Sequence, residues 1–332
     1  MKSFDPADHP VPFVHQLLLS GVAPRPIALV ATVDAAGQVN LSPFSFFNAF
    51  GANPPVVVVS PAYRGTTGAP KHTFENIIAT REFTISAVSY AMVHQVNLAS
   101  ADYDRGVNEF VKAGFTPLPS THVRAPGVAE SPFVMECRLL HHHDTGGKPG
   151  SGNLLIAEVV MFHVRASAYE NDRIHPERLD LVARMGQNYY CRASGAALFE
   201  LPKPPRVGIG FDALPAHVRE STVLTGNDLA RLAAVEMLPD TVAVEERWRR
   251  DLERIPPDPS RADSFDIEHH MAHPREALFC ALHDLRMGAG RRSLVAVRLE
   301  RCAQLFLREG DVAMAWECVL MSEAAVIARL AS

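Results

Sequence analysis

The 332-residue sequence lacks several features that would assign a compartment or a class of function directly. Its five cysteines form no C-x-x-C pair, which fits reduced thiols better than a disulfide framework. No apolar run approaches the roughly 20 residues that a membrane span requires, and the first residues do not resemble a secretory signal. We therefore expect a cytoplasmic globular protein that does not enter membranes.

The sequence also lacks the patterns of several common ligand and catalytic sites. Its net charge is −5, and lysines and arginines are dispersed, so it has no basic field that would attract nucleic acid. There is no Walker A loop, no G-x-G-x-x-G and no G-x-S-x-G nucleophile elbow. These absences leave open a small-molecule site that is built from scattered residues.

The first 205 residues are typical of a mainly β domain. Apolar runs at 27–34 and from Val39 onward are separated by a turn at Asp34–Gly37, which predicts a hairpin. Further strands are predicted at 56–60, 83–88, 134–141 and 154–164, the last two joined as an antiparallel pair by a glycine-rich turn. Helices are expected at 73–80 and about 91–99. Many short strands with few helices favour a barrel or a sandwich.

The remaining residues, 206–332, follow a proline-rich connector and have helical patterns. Asp228, Asp240 and Asp311 are predicted to cap helices, and a further helix begins at Pro274, with Gly288 and Gly310 after helix ends. The last two predicted helices form an αα-hairpin. We therefore predict two domains, a β domain over 1–205 and a helical extension over 206–332, which gives an α+β protein overall.

Residues 40–80 contain the side chains that best suit a ligand. Ser42, Ser45 and Asn48 lie among aromatic residues, a combination that suits a flat heterocycle. Arg64 and Lys71 lie in the glycine-containing loop after a buried strand, where they could hold a phosphate. Together these residues predict a mononucleotide ligand.

Thr73 is predicted to cap the helix 73–80, whose free N–H groups would add to the phosphate site. Each candidate also has a simpler interpretation. The serines could be turn hydroxyls, the two basic residues solvated loop charges, and Thr73 an ordinary cap. Spacing and residue type alone do not decide between these interpretations and the mononucleotide site.

Longer motifs connect the chain to a known family. They are RPIALVATVDAAGQVNLSPFSFFNAFGANPPVVVVS, Lys71–His72–Thr73, FENIIATREFTISAV, VNEFVKAGFTPLPSTHVRAPGVAESPFVMEC, GNLLIAEVVMFHV and LVARMGQNYY. Over about residues 10–202 the sequence resembles the flavin-reductase-like family of FMN-binding split-barrel proteins. It departs from the usual family pattern at His72, where an acid is common, and at Met185–Gly186–Gln187, where two glycines are common.

The resemblance implies an FMN-binding split barrel and an NAD(P)H-dependent flavin reductase. FMN would lie at a homodimer interface, NADH or NADPH would supply hydride, and reduced flavin would pass to oxygen or to a partner monooxygenase. The implied flavin and ribityl contacts are Ser42, Ser45, Phe46 and Asn48, and the implied phosphate contacts are Arg64, Lys71 and Thr73. His163 and Arg184 are the implied catalytic residues.

Both catalytic candidates have alternatives. His163 could orient the nicotinamide or donate toward reduced flavin, or it could be a half-buried strand histidine bonded to backbone. Arg184 could meet the anionic cofactor or form a surface salt bridge. Two other functions also stay open. One is a single-component FMN enzyme that acts on a small aromatic or heterocyclic substrate with oxygen, and the other is a flavin-binding protein without turnover.

The histidine clusters do not predict a metal site. His141, His142 and His143 lie at a strand end, where alternate side chains point to opposite faces. His269 and His273 have helical spacing, but Pro274 disfavours helical geometry at the residue before it. We predict no bound metal.

Overall fold

The computed structural model describes residues 1–204, 206–256, 265, 273–287 and 292–330. The chain divides into two compact units, Met1–Glu200 and Leu201–Ser332. The predicted boundary after residue 205, as a division between functional domains, stays a prediction. Gly288, His269 and His270 lie outside the described residues, so the predictions that involve them are not addressed.

The first unit is built mainly from antiparallel β-strands. A seven-stranded sheet has the order β3-β2-β6-β9-β10-β5-β4, and short strands pair beside it as β1-β13-β14, β7-β8 and β11-β12. The strands are β1 Arg25–Pro26, β2 Ala28–Val33, β3 Val39–Phe44, β4 Phe47–Ala52, β5 Pro55–Val59, β6 Glu82–Ala87, β7 Pro117–Leu118, β8 Gly127–Val128, β9 Phe133–Asp144, β10 Asn153–Val164, β11 Tyr169–Glu170, β12 Arg173–Ile174, β13 Val182–Arg184 and β14 Tyr190–Arg192.

Strand β2 is buried on both faces. Leu29 and Ala31 pack into one apolar cluster with Phe110, while Ala28 and Val30 pack into another with Phe83. Alternate residues of a strand point to opposite faces, so a continuous apolar run can serve two cores at once. This arrangement explains why residues 27–34 show only weak alternation in the sequence.

Both predicted hairpins are confirmed. Strands β2 and β3 pair antiparallel, and the Asp34 carboxylate closes the turn by accepting hydrogen bonds from the N–H groups of Ala36 and Gln38. Strands β9 and β10 pair from Asn153↔Asp144 to Val164↔Phe133, with two register shifts. Strand β9 runs three residues beyond the predicted end at 141, to Asp144, so the three consecutive histidines lie inside it.

Helices of the first unit connect these strands. They are α1 Val11–Gly21, α2 His72–Thr80, α3 Val93–Ala99, α4 Glu109–Ala113 and α5 Pro176–Leu179. Helix α1 was not predicted, because its apolar residues form a short run without charged residues, and the helix buries none of its side chains. The prediction that Thr73 caps α2 is wrong, since Lys71 occupies the N-cap position without a side-chain cap bond.

The second unit is helical, as predicted. Its helices are α6 Ala216–Arg219, α7 Gly226–Ala233, α8 Thr241–Arg254, α9 Pro274–Arg286, α10 Arg292–Glu309, α11 Val312–Met321 and α12 Ala324–Leu330. Two buried tryptophans anchor its apolar core, and each indole N–H has an acceptor: Trp316 donates to the Leu232 carbonyl, and Trp248 donates to Glu317.

Some details of the helical predictions need correction. Helix α7 is capped by Thr225 in a capping box with Asp228, so Asp228 is the third helical residue and not the cap. The last predicted helix is two helices, α11 and α12, because the first ends at Met321 with Ser322 as its C-cap. The caps predicted at Asp240 and Asp311 are confirmed. Among the described residues, no helix has the length and apolar character of a membrane span.

Candidate functional site

A pocket of about 450 Å³ collects many of the predicted site residues, and we call it the main pocket. Strand pairing explains how it forms. Strand β3 ends at Phe44, the chain turns at Ser45–Phe46, and β4 then pairs with β5 so that Phe47 lies opposite Val59. The residues after β5 therefore come beside the turn, and Ser60 donates its N–H to the Phe46 carbonyl at 2.8 Å. The lining residues are His15, Leu19, Ser42, Pro43, Phe44, Ser45, Phe46, Ser60, Ala62, Tyr63, Arg64, Gly65, Thr66, Lys71, Ser100 and Asp102.

The main pocket joins five of the nine predicted site residues. Ser42, Ser45 and Phe46 line it from the end of β3 and the turn that follows, and Arg64 and Lys71 line it from the loop between β5 and α2. The pocket therefore combines aromatic and hydroxyl groups with two cationic side chains. This is the combination that the sequence predicts for a mononucleotide.

The loop that carries Arg64 is held by the end of the β9–β10 hairpin. Asn153 is fully buried, donates its backbone N–H to the Ser60 hydroxyl at 3.1 Å and donates its side-chain amide to the Pro61 carbonyl at 3.0 Å. Tyr63 donates its backbone N–H to Ser151 at 2.9 Å and its hydroxyl to Asp144 at 2.9 Å. These bonds fix the loop before it reaches Arg64.

Arg184 lies in a smaller pocket of about 180 Å³ that shares Pro43, Phe44, Ser45 and Ser100 with the main pocket. Its guanidinium donates to the Gln187 carbonyl at 2.8 Å and lies 4.6 Å from the centre of the Tyr190 ring. The pairing of β1 with β13 places Arg184 opposite Arg25, which bonds to the pocket residue Ser45. Arg184 is therefore a neighbour of the main pocket.

Asn48 and Thr73 do not line the main pocket. Asn48 lines a separate apolar pocket of about 330 Å³ with Phe47, Val57 and Phe162. Thr73 is buried, and its hydroxyl accepts a hydrogen bond from Asn40 at 2.9 Å. Their ligand contacts stay predictions.

His163 does not line the main pocket. It is the penultimate residue of β10, ten residues after Asn153, which bonds to the pocket loop. His163 Nε2 donates to the carboxylate of Glu136 at 2.7 Å. The simpler interpretation of His163 expected a hydrogen bond to backbone, but the observed partner is a carboxylate. Its catalytic role stays a prediction.

The Glu136 carboxylate accepts hydrogen bonds from the loop at residues 121–123. It is fully buried, and besides His163 it receives the N–H groups of Thr121, His122 and Val123 and the Thr121 hydroxyl. Burial alone would raise the pKa of Glu136, but the hydrogen bonds from Thr121, His163 and His122 outweigh it and lower the pKa to about 2. The ionised carboxylate therefore holds the loop to β9.

Arg25 was not predicted from the sequence. It supports the main pocket through its contact with the lining residue Ser45. It is 5% exposed, donates to the carbonyls of Leu19 and Val22 at the end of α1, and reaches the Met185 carbonyl at 3.1 Å. Its Nε also donates to the Ser45 hydroxyl at 3.4 Å. A buried arginine must find acceptors, so it ties α1, the turn and the residues after β13 together.

Comparison with known proteins gives a family and a fold for the first unit. The model of the family described as "Flavin reductase like domain" matches residues 20–182. A solved structure of nitrilotriacetate monooxygenase component B from Bacillus cereus is 33% identical with a TM-score of 0.57, covering 60% of this chain and 98% of that one.

Two further structures are similar. The 2-nitrobenzoate 2-nitroreductase of Pseudomonas fluorescens is 25% identical with a TM-score of 0.54, covering 60% of this chain and 96% of that one. A Shewanella frigidimarina protein described by its split barrel domain is 28% identical with a TM-score of 0.53, covering 61% and 100%. The predicted split barrel, with helices that make the chain α+β overall, is confirmed.

The hydrogen bonds to Glu136 predict how the free energy of unfolding depends on pH. Because the folded pKa lies below the ordinary value of 4.5, the ionised group stabilises the fold above pH 4.5, and this contribution is lost as the pH falls from about 4.5 to about 2. Glu136→Gln should lower the free energy of unfolding by about 2 kcal/mol at pH 7, with a smaller difference from wild type near pH 2. Urea unfolding followed by circular dichroism would measure both.

Glu158→Gln, on strand β10, is the matched control and should leave the unfolding free energy nearly unchanged. Equal stability of wild type and Glu136→Gln at pH 7 would show that the buried carboxylate does not hold the loop.

Proposed function

Because the chain belongs to the flavin reductase like domain family, we propose that its first unit binds FMN in the main pocket. The observation that supports this most strongly is the placing of Arg64 and Lys71 in one cavity with the Ser42–Phe46 wall. A volume of about 450 Å³ is in the ordinary range for a small-molecule site. The residues present therefore fit a ligand that has a flat ring at one end and a phosphate at the other.

We assign Ser42, Ser45 and Phe46 to the ring and ribityl chain, and Arg64 and Lys71 to the phosphate. Lys71 is the N-cap residue of α2, so its backbone lies where the first free N–H groups of a helix favour an anion. The pKa of neighbouring His72 is lowered, first by burial and then by Arg105 and Arg64. Near neutral pH it is therefore uncharged and adds no third cation.

We propose that the protein is an NAD(P)H-dependent flavin reductase. When bound, FMN would supply the chemistry of accepting hydride from NADH or NADPH and passing electrons to oxygen or to a partner monooxygenase. The protein's own residues hold the ring by the Ser42–Phe46 wall and offer Arg184 and Tyr190 at the adjoining opening. A similar structure named as component B of a monooxygenase supports a role as supplier to a partner.

A second candidate is an enzyme that itself acts on a small aromatic substrate. One similar structure is a 2-nitrobenzoate 2-nitroreductase. In this chain the smaller pocket beside the main one is lined by Phe44, Tyr190 and Arg184, which suit an aromatic anion. Its volume of about 180 Å³ would hold only a small ring.

We also propose that two copies of the chain form a dimer. Strand β4 is at the edge of the seven-stranded sheet, and its Phe50 is 68% exposed. Helix α1 buries no side chain and exposes Val11, Leu17 and Leu18. An apolar edge strand and an apolar helix are surfaces that proteins normally cover. A second copy would bury them near the main pocket, to which α1 contributes His15 and Leu19.

The phosphate assignment predicts a ligand-specific loss. Lys71→Ala should raise the Kd for FMN roughly tenfold, the scale of one charge-assisted contact, and leave the Kd for riboflavin unchanged because riboflavin has no phosphate. Flavin fluorescence titration measures both. Lys112→Ala, in α4 and outside the pocket, is the control. Equal losses for FMN and riboflavin would place the phosphate elsewhere.

The reductase proposal predicts bleaching of the flavin. Anaerobic mixing of the FMN-loaded protein with NADH or NADPH should remove the yellow absorbance within seconds, and free FMN should multiply the steady-state oxidation of the nicotinamide. Tightly bound flavin that neither nicotinamide reduces would contradict a reductase. Conversion of a nitroaromatic acid by photoreduced protein would then support the second candidate.

If two copies form a dimer, the mass in solution should be about twice 36.3 kDa. Phe50→Asp should shift the protein toward monomer, because a carboxylate on the edge strand would be buried without a partner. Val111→Asp, at an exposed apolar position on α4, is the control and should leave the mass unchanged. Sedimentation equilibrium measures all three, and a monomeric wild type would refute the dimer.

A further inference from the structure

An acidic side chain shares the main pocket with its two cations. Asp102 lies in the loop between α3 and α4, and it lines the pocket together with Arg64 and Lys71. The Arg64 guanidinium donates to the Asp102 carboxylate and forms an ion pair with it. Of the lining side chains, two are therefore cationic and one is anionic.

The two members of this ion pair differ in exposure. The Arg64 side chain is 18% exposed, whereas the Asp102 side chain is 67% exposed. Backbone hydrogen bonds fix the Arg64 loop, since Arg64 donates to the Ala69 carbonyl and accepts from Gly68. The arginine is thus held in place, and Asp102 can turn into water at low cost because most of its side chain is already solvated.

The Asp102 carboxylate remains ionised at neutral pH. The hydrogen bond from Arg64 lowers its pKa, the opposing effect of burial is smaller, and the charge of Lys71 acts in the same direction as Arg64. The Asp102 carboxylate accepts from N–H groups of the Arg64 guanidinium that could also bind a phosphate. It also repels a second anion in the same cavity.

We propose that Asp102 competes with the flavin phosphate for Arg64, and that this competition weakens FMN binding and keeps the cofactor exchangeable. The inference rests on the proposed FMN site and adds a residue that sets its affinity. A phosphate carries more negative charge than a carboxylate, so it displaces Asp102 from Arg64. Part of the phosphate's binding free energy is spent on breaking the internal ion pair. A protein that supplies reduced flavin to another enzyme needs such exchange.

The test compares FMN with riboflavin. Asp102→Asn removes the charge with little change in shape, and it should lower the Kd for FMN roughly fivefold to tenfold without changing the Kd for riboflavin. Asp102→Ser should give the same shift if the effect comes from charge and not from the amide. Asp104→Asn, an exposed acid in the same loop that does not line the pocket, is the matched control.

A double-mutant cycle tests whether Asp102 acts through Arg64. In an Arg64→Met background, the effect of Asp102→Asn on FMN binding should fall below about twofold, because the competed group is gone. Circular dichroism and the melting temperature would verify that each variant is folded.

The outcomes separate this inference from the proposed function. If wild type binds FMN but Asp102→Asn leaves the Kd unchanged, Asp102 does not compete. If the Kd rises, Asp102 instead orients Arg64 for the phosphate, which also overturns the inference. If neither wild type nor the variants bind FMN or riboflavin, the proposed FMN site fails and the inference fails with it.

Discussion

The position of the loop after β5 determines what the first unit can bind. Two independent constraints fix this loop: the pairing of β4 with β5 brings Ser60 beside Phe46, and the buried Asn153 bonds to Ser60 and Pro61. Neither Ser60 nor Asn153 is charged. Together they hold the loop from which Arg64 lines the same pocket as the Ser42–Phe46 wall.

A second level of organisation is electrostatic. Arg25 is buried behind Ser45 and joins the end of α1 to the residues after β13 through carbonyl acceptors. Arg64 faces the cavity and pairs with Asp102. Arg25 therefore supports a residue that lines the pocket, and Arg64 contributes charge to the pocket. Burial explains the difference, because a buried guanidinium is stable only when neighbouring acceptors take its N–H groups.

The sequence predicted the strands well, since their patterns are local. The hairpin around Asp34–Gly37 and the β9–β10 pair follow from apolar runs on either side of turn residues. Helix α1 was missed because it buries nothing and so has no amphipathic signal. Thr225 was missed as a cap because Asp228, three residues later, is an equally good capping residue by type.

The predicted residues that share the main pocket are those whose neighbours in sequence are also neighbours in space. Ser42, Ser45 and Phe46 are close together in the chain, and Arg64 and Lys71 follow one buried strand. Arg25, Asn153 and Asp102 could not be found in the same way, because the contacts that join them to the pocket residues and to Met185 lie 20 to 160 residues away. His163 shows the converse, since its chemistry is suitable but it does not line the main pocket.

The central claim is that FMN binds between the Ser42–Phe46 wall and the Arg64 loop. A crystal structure of the protein with FMN tests this most directly. We expect density for the phosphate within hydrogen-bond distance of Arg64 and Lys71, with the ring against the Ser42–Phe46 wall. A flavin found elsewhere on the chain, or a phosphate directed away from both basic side chains, would contradict the account.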